Sequence, residues 1–489
     1  MHTILPVLAI LGVIVMVFAA SMLVPLSLAW WGQDAAHASY QASIAITFAC
    51  GLAMWLAARR HRRELQPRDG VLLVSLVWTL LPLFACLPFL AWSHQAGKAM
   101  SFTHAYFEAV SGLTTTGATV ITGLDALPPS INLWRCFMQW MGGMGILVLA
   151  VAILPLLGVG GSQLFKAEAT GPLKDTKLTP RITQTAKGLW SVYLVFSLAC
   201  LLAYRAGGMD WLDATMHMFS TVSLGGLSPY DASFGKFQSP LLEWICVAFM
   251  LVASCNFALY FGAFRKRSLA RLWADPELRA TIGVMIGSSL LVAVVLWAKG
   301  TYRDPLLALR MAFFNVVSVA STTGYANTDY SRWPIFAPVL MLLLSGVATS
   351  AGSTGAGIKM IRMLILVKQA TRELSRIVHP RAVNPVMLGD RPIPPNAIFA
   401  VLAYMLVYGA TVVVLGMVLL LTDLDEVTAF TAVLASVNNT GPGLNQVGPA
   451  GNFAVLTDFQ TWVCTLAMLL GRLEMLSFMA LLAPSFWRK

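Results

Sequence analysis

Charge is the scarcest commodity in this sequence of 489 residues. Only 11% are Asp, Glu, Lys or Arg, against about 25% in an ordinary soluble domain. That shortage excludes a water-exposed globular surface. The seven cysteines (Cys50, Cys86, Cys136, Cys200, Cys246, Cys255 and Cys464) lie in or beside apolar runs, with no CxxC and no Cys/His ligand spacing. Neither a metal site nor a disulfide framework is indicated, and all seven read as small buried apolar residues. No HExxH, GxSxG, paired intramembrane aspartates or haem-ligating histidine pair is present, which argues against a membrane enzyme. His217 reads as a packed or capping residue. Alternating strands of about ten residues, the sign of a membrane β-barrel, are missing. The apolar run 4–30 lacks the basic n-region of a signal peptide, so it reads as a retained helix.

What the chain has instead is hydrophobicity: 57% of its residues, for a mean hydropathy of +0.73. Runs of about 20 apolar residues span a hydrocarbon core about 30 Å thick. Ten candidate spans follow, at 4–30, 40–58, 70–92, 132–157, 183–206, 240–264, 279–299, 335–375 (interrupted), 395–421 and 458–484. The net charge of +11 is gathered in short connections, "RRHRRELQPR" (59–68), "KDTKLTPR" (174–181), "FRKRSLAR" (264–271), the 359–391 region and the final "WRK". Clusters beside membrane spans mark the cytoplasmic side and attract anionic lipid, so membrane lipid, not nucleic acid, is the expected partner. The alternation places both termini inside.

Between the spans, on the outer side, lie four shorter apolar segments at 102–113, 211–222, 304–321 and 425–437. Twelve residues of helix reach about 18 Å, too little to cross. Each runs into a polar, glycine-bearing strip: "LTTTGATV", "TVSLGGLS", "ASTTGYAN" and "VNNTGPGL". Glycines 117, 225, 324 and 441 give steps of 108, 99 and 117 residues. The expected architecture is therefore an all-α polytopic membrane protein: four parallel repeats of span, pore helix and span around a central pore, after an extra N-terminal helix pair. The units are 1–69 (helix pair), 70–165, 166–270, 271–385 (with a broken second span) and 386–489. Parallel repeats can surround one axis through the membrane.

Non-helical backbone at membrane depth is tolerated where protein buries it or water lines it. Strips of Thr, Gly, Ser and Asn suit a cation, because carbonyl and hydroxyl oxygens can replace its hydration shell. The C-terminal ends of the short helices add partial negative charge at the centre. Their outer ends carry Asp210 and Asp213, Asp304, and Asp423, Asp425 and Glu426, with Ser101 and Thr103 before the first. These residues read as caps, as attractors of cations, or as both.

Two further features stand apart. The run "SGVATSAGSTGAG" (345–357) breaks the eighth span, and glycine resists helix by about 1 kcal/mol per position. It reads as a mobile loop about half a membrane below the strips or as a small-residue packing surface. A nucleotide loop is excluded because Ile358 stands where a Walker lysine belongs. Arg472, with Glu474 two residues on, lies inside the last span. A charge there needs a watery cavity or a partner, as a cation barrier or as an anchor on carbonyls.

The fourfold unit with "TTTGAT", "VSLGGLS", "STTGYA" and "NNTGPG" resembles the Trk/Ktr/HKT superfamily of potassium transporters over the whole chain, and its length and N-terminal pair are similar to the TrkH/TrkG branch. The resemblance implies potassium uptake across the bacterial inner membrane by a homodimer with one pore per subunit, with no covalently bound cofactor and K+ as the transported ion. It also implies a cytosolic TrkA-type nucleotide-binding subunit. The filter would be Thr115, Thr116 and Gly117; Ser223, Leu224 and Gly225; Thr322, Thr323 and Gly324; and Asn439, Thr440 and Gly441. In this alignment Leu224 replaces a threonine and removes a hydroxyl ligand. The gate would be the broken segment with Gly346, Gly352, Gly355, Gly357 and Lys359, together with Arg472 below the filter. The alternative is an H+- or Na+-coupled secondary carrier, which would favour inverted repeats and ionisable midplane groups.

Overall fold

The computed structural model describes residues 5–61, 66–98, 100–152, 178–268, 270–381, 384–389, 391–473, 475, 479, 481 and 483–487. Most of the 166–181 connection, most of "RRHRREL", Glu474 and the final two residues lie outside the described residues. The described chain is helical, apart from one antiparallel pair of two-residue strands, Met387–Leu388 with Arg391–Pro392.

Helices α1 (Leu5–Ser21), α2 (Leu23–Trp31) and α3 (His37–Ala58) form the N-terminal pair. Helices α1 and α3 approach closely through small residues: a Cβ on Gly12 would lie 2.7 Å from Gly51 O, and one on Gly51 would lie 2.9 Å from Gly12 O. This is how membrane helices associate without a hydrophobic driving force between them.

Four units follow. The first is α4 (Pro67–Ala85), α5 (Leu87–Gln95), short α6 (Phe102–Leu113) and α7 (Pro129–Ala152). The second is α8 (Leu178–Ala206), short α9 (Trp211–Val222), α10 (Pro240–Ala253) and α11 (Phe257–Lys266). The third is α12 (Pro276–Ala298), short α13 (Pro305–Ala320), α14 (Phe336–Val347) and α15 (Met360–Val378); the fourth is α16 (Pro395–Leu420), short α17 (Glu426–Val437) and α18 (Asp458–Arg472). Every short helix falls within one residue of its expected bounds. Ser101, Asp210, Asp304 and Asp425 cap them, each accepting a backbone N–H of the first turn. Thr103 lies within its helix rather than at the cap.

The outgoing helix of each unit packs on its own short helix and on that of the next unit. Helix α7 touches α6 and α9, α10 touches α9 and α13, α14 touches α13 and α17, and α18 touches α17 and α6. The fourth unit thus returns to the first, and the arrangement is a closed ring. Glycines permit the approach: a Cβ on Gly142 would lie 1.9 Å from Leu113 O, and one on Gly471 would lie 1.9 Å from Val437 O.

Among the described residues six helices are long and apolar enough to cross a membrane, or seven if one bent pair counts as a span. Their outward faces are apolar: Val17, Leu198, Val294, Leu406 and Val414 are all more than half exposed. The chain is a multi-pass membrane protein. Two expectations need correction. The run 240–264 is not one straight span; α10 and α11 meet at 88°. Backbone groups freed at that break are taken by the third unit, with Ser350 N donating to Ser254 O and Phe257 N donating to Gly352 O. Cys50 is exposed, whereas the other six cysteines are buried. It sits one residue off the stripe Ser39, Ser43, Thr47 and Gly51 by which α3 faces the protein.

Candidate functional site

The four short helices end in the same backbone turn. Thr115, Leu224, Thr322 and Asn439 have φ of 55°, 55°, 64° and 49°; two residues later Gly117, Gly226, Gly324 and Gly441 have φ of 82°, 74°, 85° and 92°. The intervening amides of Thr116, Gly225, Thr323 and Thr440 donate to Ser111 O, Ser220 O, Ser318 O and Ala435 O at 2.8–2.9 Å. Thr114, Ser223, Ser321 and Asn438 are the helix C-caps.

This register corrects the alignment drawn from sequence. Gly226, not Gly225, is the counterpart of Gly117, Gly324 and Gly441. Ser223 moves back to the C-cap, and the residue standing where the other strips have threonine is Gly225. Leu224 matches Thr115, Thr322 and Asn439, and holds a left-handed conformation uncommon for a side chain without a polar group.

The glycines are required by contact as well as by φ. A Cβ on Gly117 would lie 2.0 Å from Gly225 O; on Gly226, 1.9 Å from Thr323 O; on Gly324, 2.0 Å from Thr440 O; on Gly441, 2.9 Å from Thr116 O. Each strip's glycine thus faces the carbonyl of the next strip, and the fourth faces the first. All four glycines line one open pocket, together with Arg135, Asp231, Asn452 and Phe453.

Behind the ring lies a buried polar shell. Thr114 and Thr116 hydroxyls pair at 2.7 Å, as do those of Ser321 and Thr323. Asn439 Nδ2 donates to Thr116 Oγ1 at 2.8 Å, joining the fourth strip to the first. Gln139 on α7 donates from Nε2 to Gly225 O at 2.6 Å and accepts from Leu227 N at 3.0 Å. A fully buried ion pair, Arg135 Nε to Glu108 at 2.7 Å, stands beside the first two strips. Its guanidinium also donates to Ser228 O and Thr119 Oγ1, while Glu108 accepts from Val120 N. His217 is packed, as expected, with Nδ1 2.9 Å from Asp213 O and Nε2 3.3 Å from Ser228 Oγ.

The eighth span breaks where its composition indicates. Helix α14 includes Gly346, and residues 348–359 form a loop before α15. Gly352 and Gly357 take φ of 75° and 82°, and Lys359 takes 81°. The loop closes on itself: Met360 N donates to Thr349 O at 2.7 Å, Thr349 Oγ1 to Ala356 O at 2.7 Å, and Lys359 Nζ to Gly355 O. It does not lie half a membrane below the strips. It touches them, with Ala356 N donating to Thr322 Oγ1 at 3.1 Å and Thr354 Oγ1 donating to Val222 O at 3.0 Å. The loop thus meets the C-terminal end of the second short helix and the strip that leaves the third.

Arg472 is buried, and its guanidinium donates to Thr354 O in the loop at 3.2 Å and to Gly142 O on α7 at 3.3 Å. The anchoring on carbonyls is therefore real, and one of the anchors is the loop itself. Glu277 at the start of α12 is buried and accepts from Ala351 N at 2.7 Å and Ile361 N at 3.1 Å, tying the loop to the first turn of α15. Sequence reasoning missed Gly226, Gln139, Glu277 and the Arg135–Glu108 pair. Gly226 had a signal: only with it in register do all four strips begin on a small polar residue, Thr114, Ser223, Ser321 and Asn438.

Fold and site together define a helical membrane protein whose four tandem units enclose a carbonyl-bearing ring on one axis. The family model described as TrkH, cation transport protein, matches residues 36–489. The chain is 43% identical over 480 residues, 98% of each chain, to the Trk system potassium uptake protein TrkH of Escherichia coli (strain K12). It is 35% identical over 477 residues to the Trk system potassium uptake protein TrkG of the same strain, covering 98% of this chain and 97% of that one. The crystal structure of the potassium transporter TrkH from Vibrio parahaemolyticus superposes with a TM-score of 0.91 at 41% identity, covering 100% of this chain and 99% of that one. The chain belongs to the TrkH family of cation transport proteins.

Proposed function

We propose that this protein takes up potassium across the bacterial inner membrane, with both termini in the cytoplasm and K+ passing along the axis of the four units. The observation that carries the reading is the ring itself: four carbonyls, of Thr116, Gly225, Thr323 and Thr440, each against the glycine of the preceding strip. Carbonyl dipoles at the C-terminal ends of four converging helices favour a desolvated monovalent cation and repel an anion. The relatives named as potassium uptake proteins support K+ as the cargo. The units 70–165, 166–270, 271–385 and 386–489 each supply one strip, and 1–69 packs outside them.

The loop 348–359 acts as the gate, held closed against the third strip and by Arg472. Two copies assemble, one pore in each, and a cytosolic nucleotide-binding subunit of TrkA type moves the gate from the basic cytoplasmic face. The test is Rb+ uptake into proteoliposomes with Na+ competition, with and without a proton gradient. Uptake that discriminates Rb+ from Na+ and follows the Rb+ gradient alone is expected. Uptake that requires a proton or sodium gradient favours the coupled carrier. Uptake that does not discriminate between the ions removes the filter assignment.

A further inference from the structure

The second strip is built differently from the other three. At the ring position it carries Gly225, where Thr116, Thr323 and Thr440 stand in the others. The missing side chain is replaced from another helix. Gln139 is fully buried on α7, the helix that packs on both the first and second short helices. A Cβ on Gly225 would lie 2.4–2.6 Å from its amide carbon, nitrogen and oxygen. The amide bridges the strip at two points, donating to Gly225 O and accepting from Leu227 N across Gly226. Among the described residues, Gly225 O is the ring carbonyl that receives a side-chain donor; the threonine hydroxyls of the first and third strips instead pair with Thr114 and Ser321.

We propose that Gln139 is a specificity-determining positioning residue: its amide fixes the second strip and tempers the Gly225 carbonyl, so the ring binds cations as three strong ligands and one weakened one. This rests on the ring being the ion-selective site. An N–H donor occupies one lone pair and withdraws negative charge from the oxygen, which lowers the field that carbonyl offers a cation. Losing the bridge also leaves two buried backbone groups unmatched and frees the strip to shift.

The experiment compares Rb+ and Na+ uptake in proteoliposomes for Gln139→Met, Gly225→Thr, the double variant Gly225→Thr/Gln139→Ala, and Gly324→Ser as a control. Gln139→Met keeps length and volume but loses both hydrogen bonds. It should change the Rb+/Na+ ratio by roughly fivefold, the equivalent of one ordinary hydrogen bond, and shift the KM for Rb+. A purely structural loss lowers the maximal rate for both ions together and leaves ratio and KM in place. Gly225→Thr alone drives its side chain into the amide and should lose the ratio too. The double variant removes that clash but also lacks the donor, so its maximal rate should recover relative to Gly225→Thr while its ratio stays shifted as in Gln139→Met. If Gln139→Met fails to reach the membrane, the ratio of the double variant decides. A wild-type ratio and KM in Gln139→Met, or a wild-type ratio in the double variant, overturns the proposal. If Gly324→Ser also leaves the ratio unchanged, it is the filter reading that fails; if Gly324→Ser relaxes it while the Gln139 variants do not, only the role of Gln139 falls.

Discussion

The four strips and the loop 348–359 are both glycine-bearing, non-helical and largely buried among helices, yet they are held differently. At the strips, an added Cβ on Gly117, Gly226 or Gly324 meets a backbone carbonyl at 2.0 Å or less. Nothing there gives way except by moving another strip. At the loop, an added Cβ on Gly352 meets the side chain of Asn256 and one on Gly355 that of Thr349, while one on Gly357 meets Ser345 O and Gly346 O at 2.7 Å. Its ties are mixed: the side chains of Glu277, Arg472 and Thr322 hold it, and so do backbone bonds to Ser254 O and from Phe257 N. Backbone packed on backbone makes a fixed aperture. Backbone held by a few separate hydrogen bonds, several of them to side chains, makes an element that releases when those ties let go.

The largest effect should fall on the aperture. Gly117→Ser, Gly226→Ser and Gly324→Ser, taken singly, should lower the Rb+/Na+ uptake ratio by about tenfold or more, because positive φ and contact both exclude a side chain. Normal ratios in all three at normal protein levels would erase the contrast between strips and loop. Next comes removal of residues 350–355, which should raise Rb+ flux in the absence of any regulatory subunit by roughly tenfold, with selectivity retained. A well-folded deletion with wild-type basal flux would make the segment packing surface.

A smaller rise, about threefold to fivefold, is expected for Arg472→Ala and for Glu277→Ala, each of which removes hydrogen bonds to the loop. If both ties act on one barrier, their double variant should have less than the product of the single effects. Full independence would mean that they hold different things. The smallest effect concerns the outer caps. Asp210→Asn and Asp425→Asn keep a capping side chain but lose the charge. Stability should hold, and the KM for Rb+ should rise at low ionic strength by about twofold, vanishing near 0.5 M salt as screening sets in. An unchanged KM at low salt would leave these acids as caps alone.

The contrast also governs what could be seen in the sequence. The short helices were legible to within one residue because hydropathy, a cap and a glycine-bearing exit coincide at each. The break in 345–357 was legible because its composition is local. The break at 254–256 was not: in "CVAFMLVASCNFALYFG" Ser254 and Asn256 are brief interruptions of an apolar run, and the turn is completed only by Asn256 capping the next helix and by the third unit's loop bonding the freed backbone through Ser350 N and Gly352 O. The doublet Gly225-Gly226 hid a register that only the hydrogen-bonded turn after the helix resolves. Gln139 and Glu277 are single polar residues in or at the start of apolar helices, and their importance comes from partners 86 and 74 positions away. Such pairings leave no periodic trace.

The closed ring of tandem units has a consequence for how such a protein can change. In an aperture made from four identical subunits, every substitution is written four times, and a change helpful at one quadrant is imposed on all. Here the four quadrants are separate stretches of one chain. A glycine can replace a threonine in the second alone, and a glutamine can answer it from the neighbouring helix alone. Each quadrant is free to drift, provided its neighbour on either side still fits, so selection can tune the opening in quarter steps rather than whole ones.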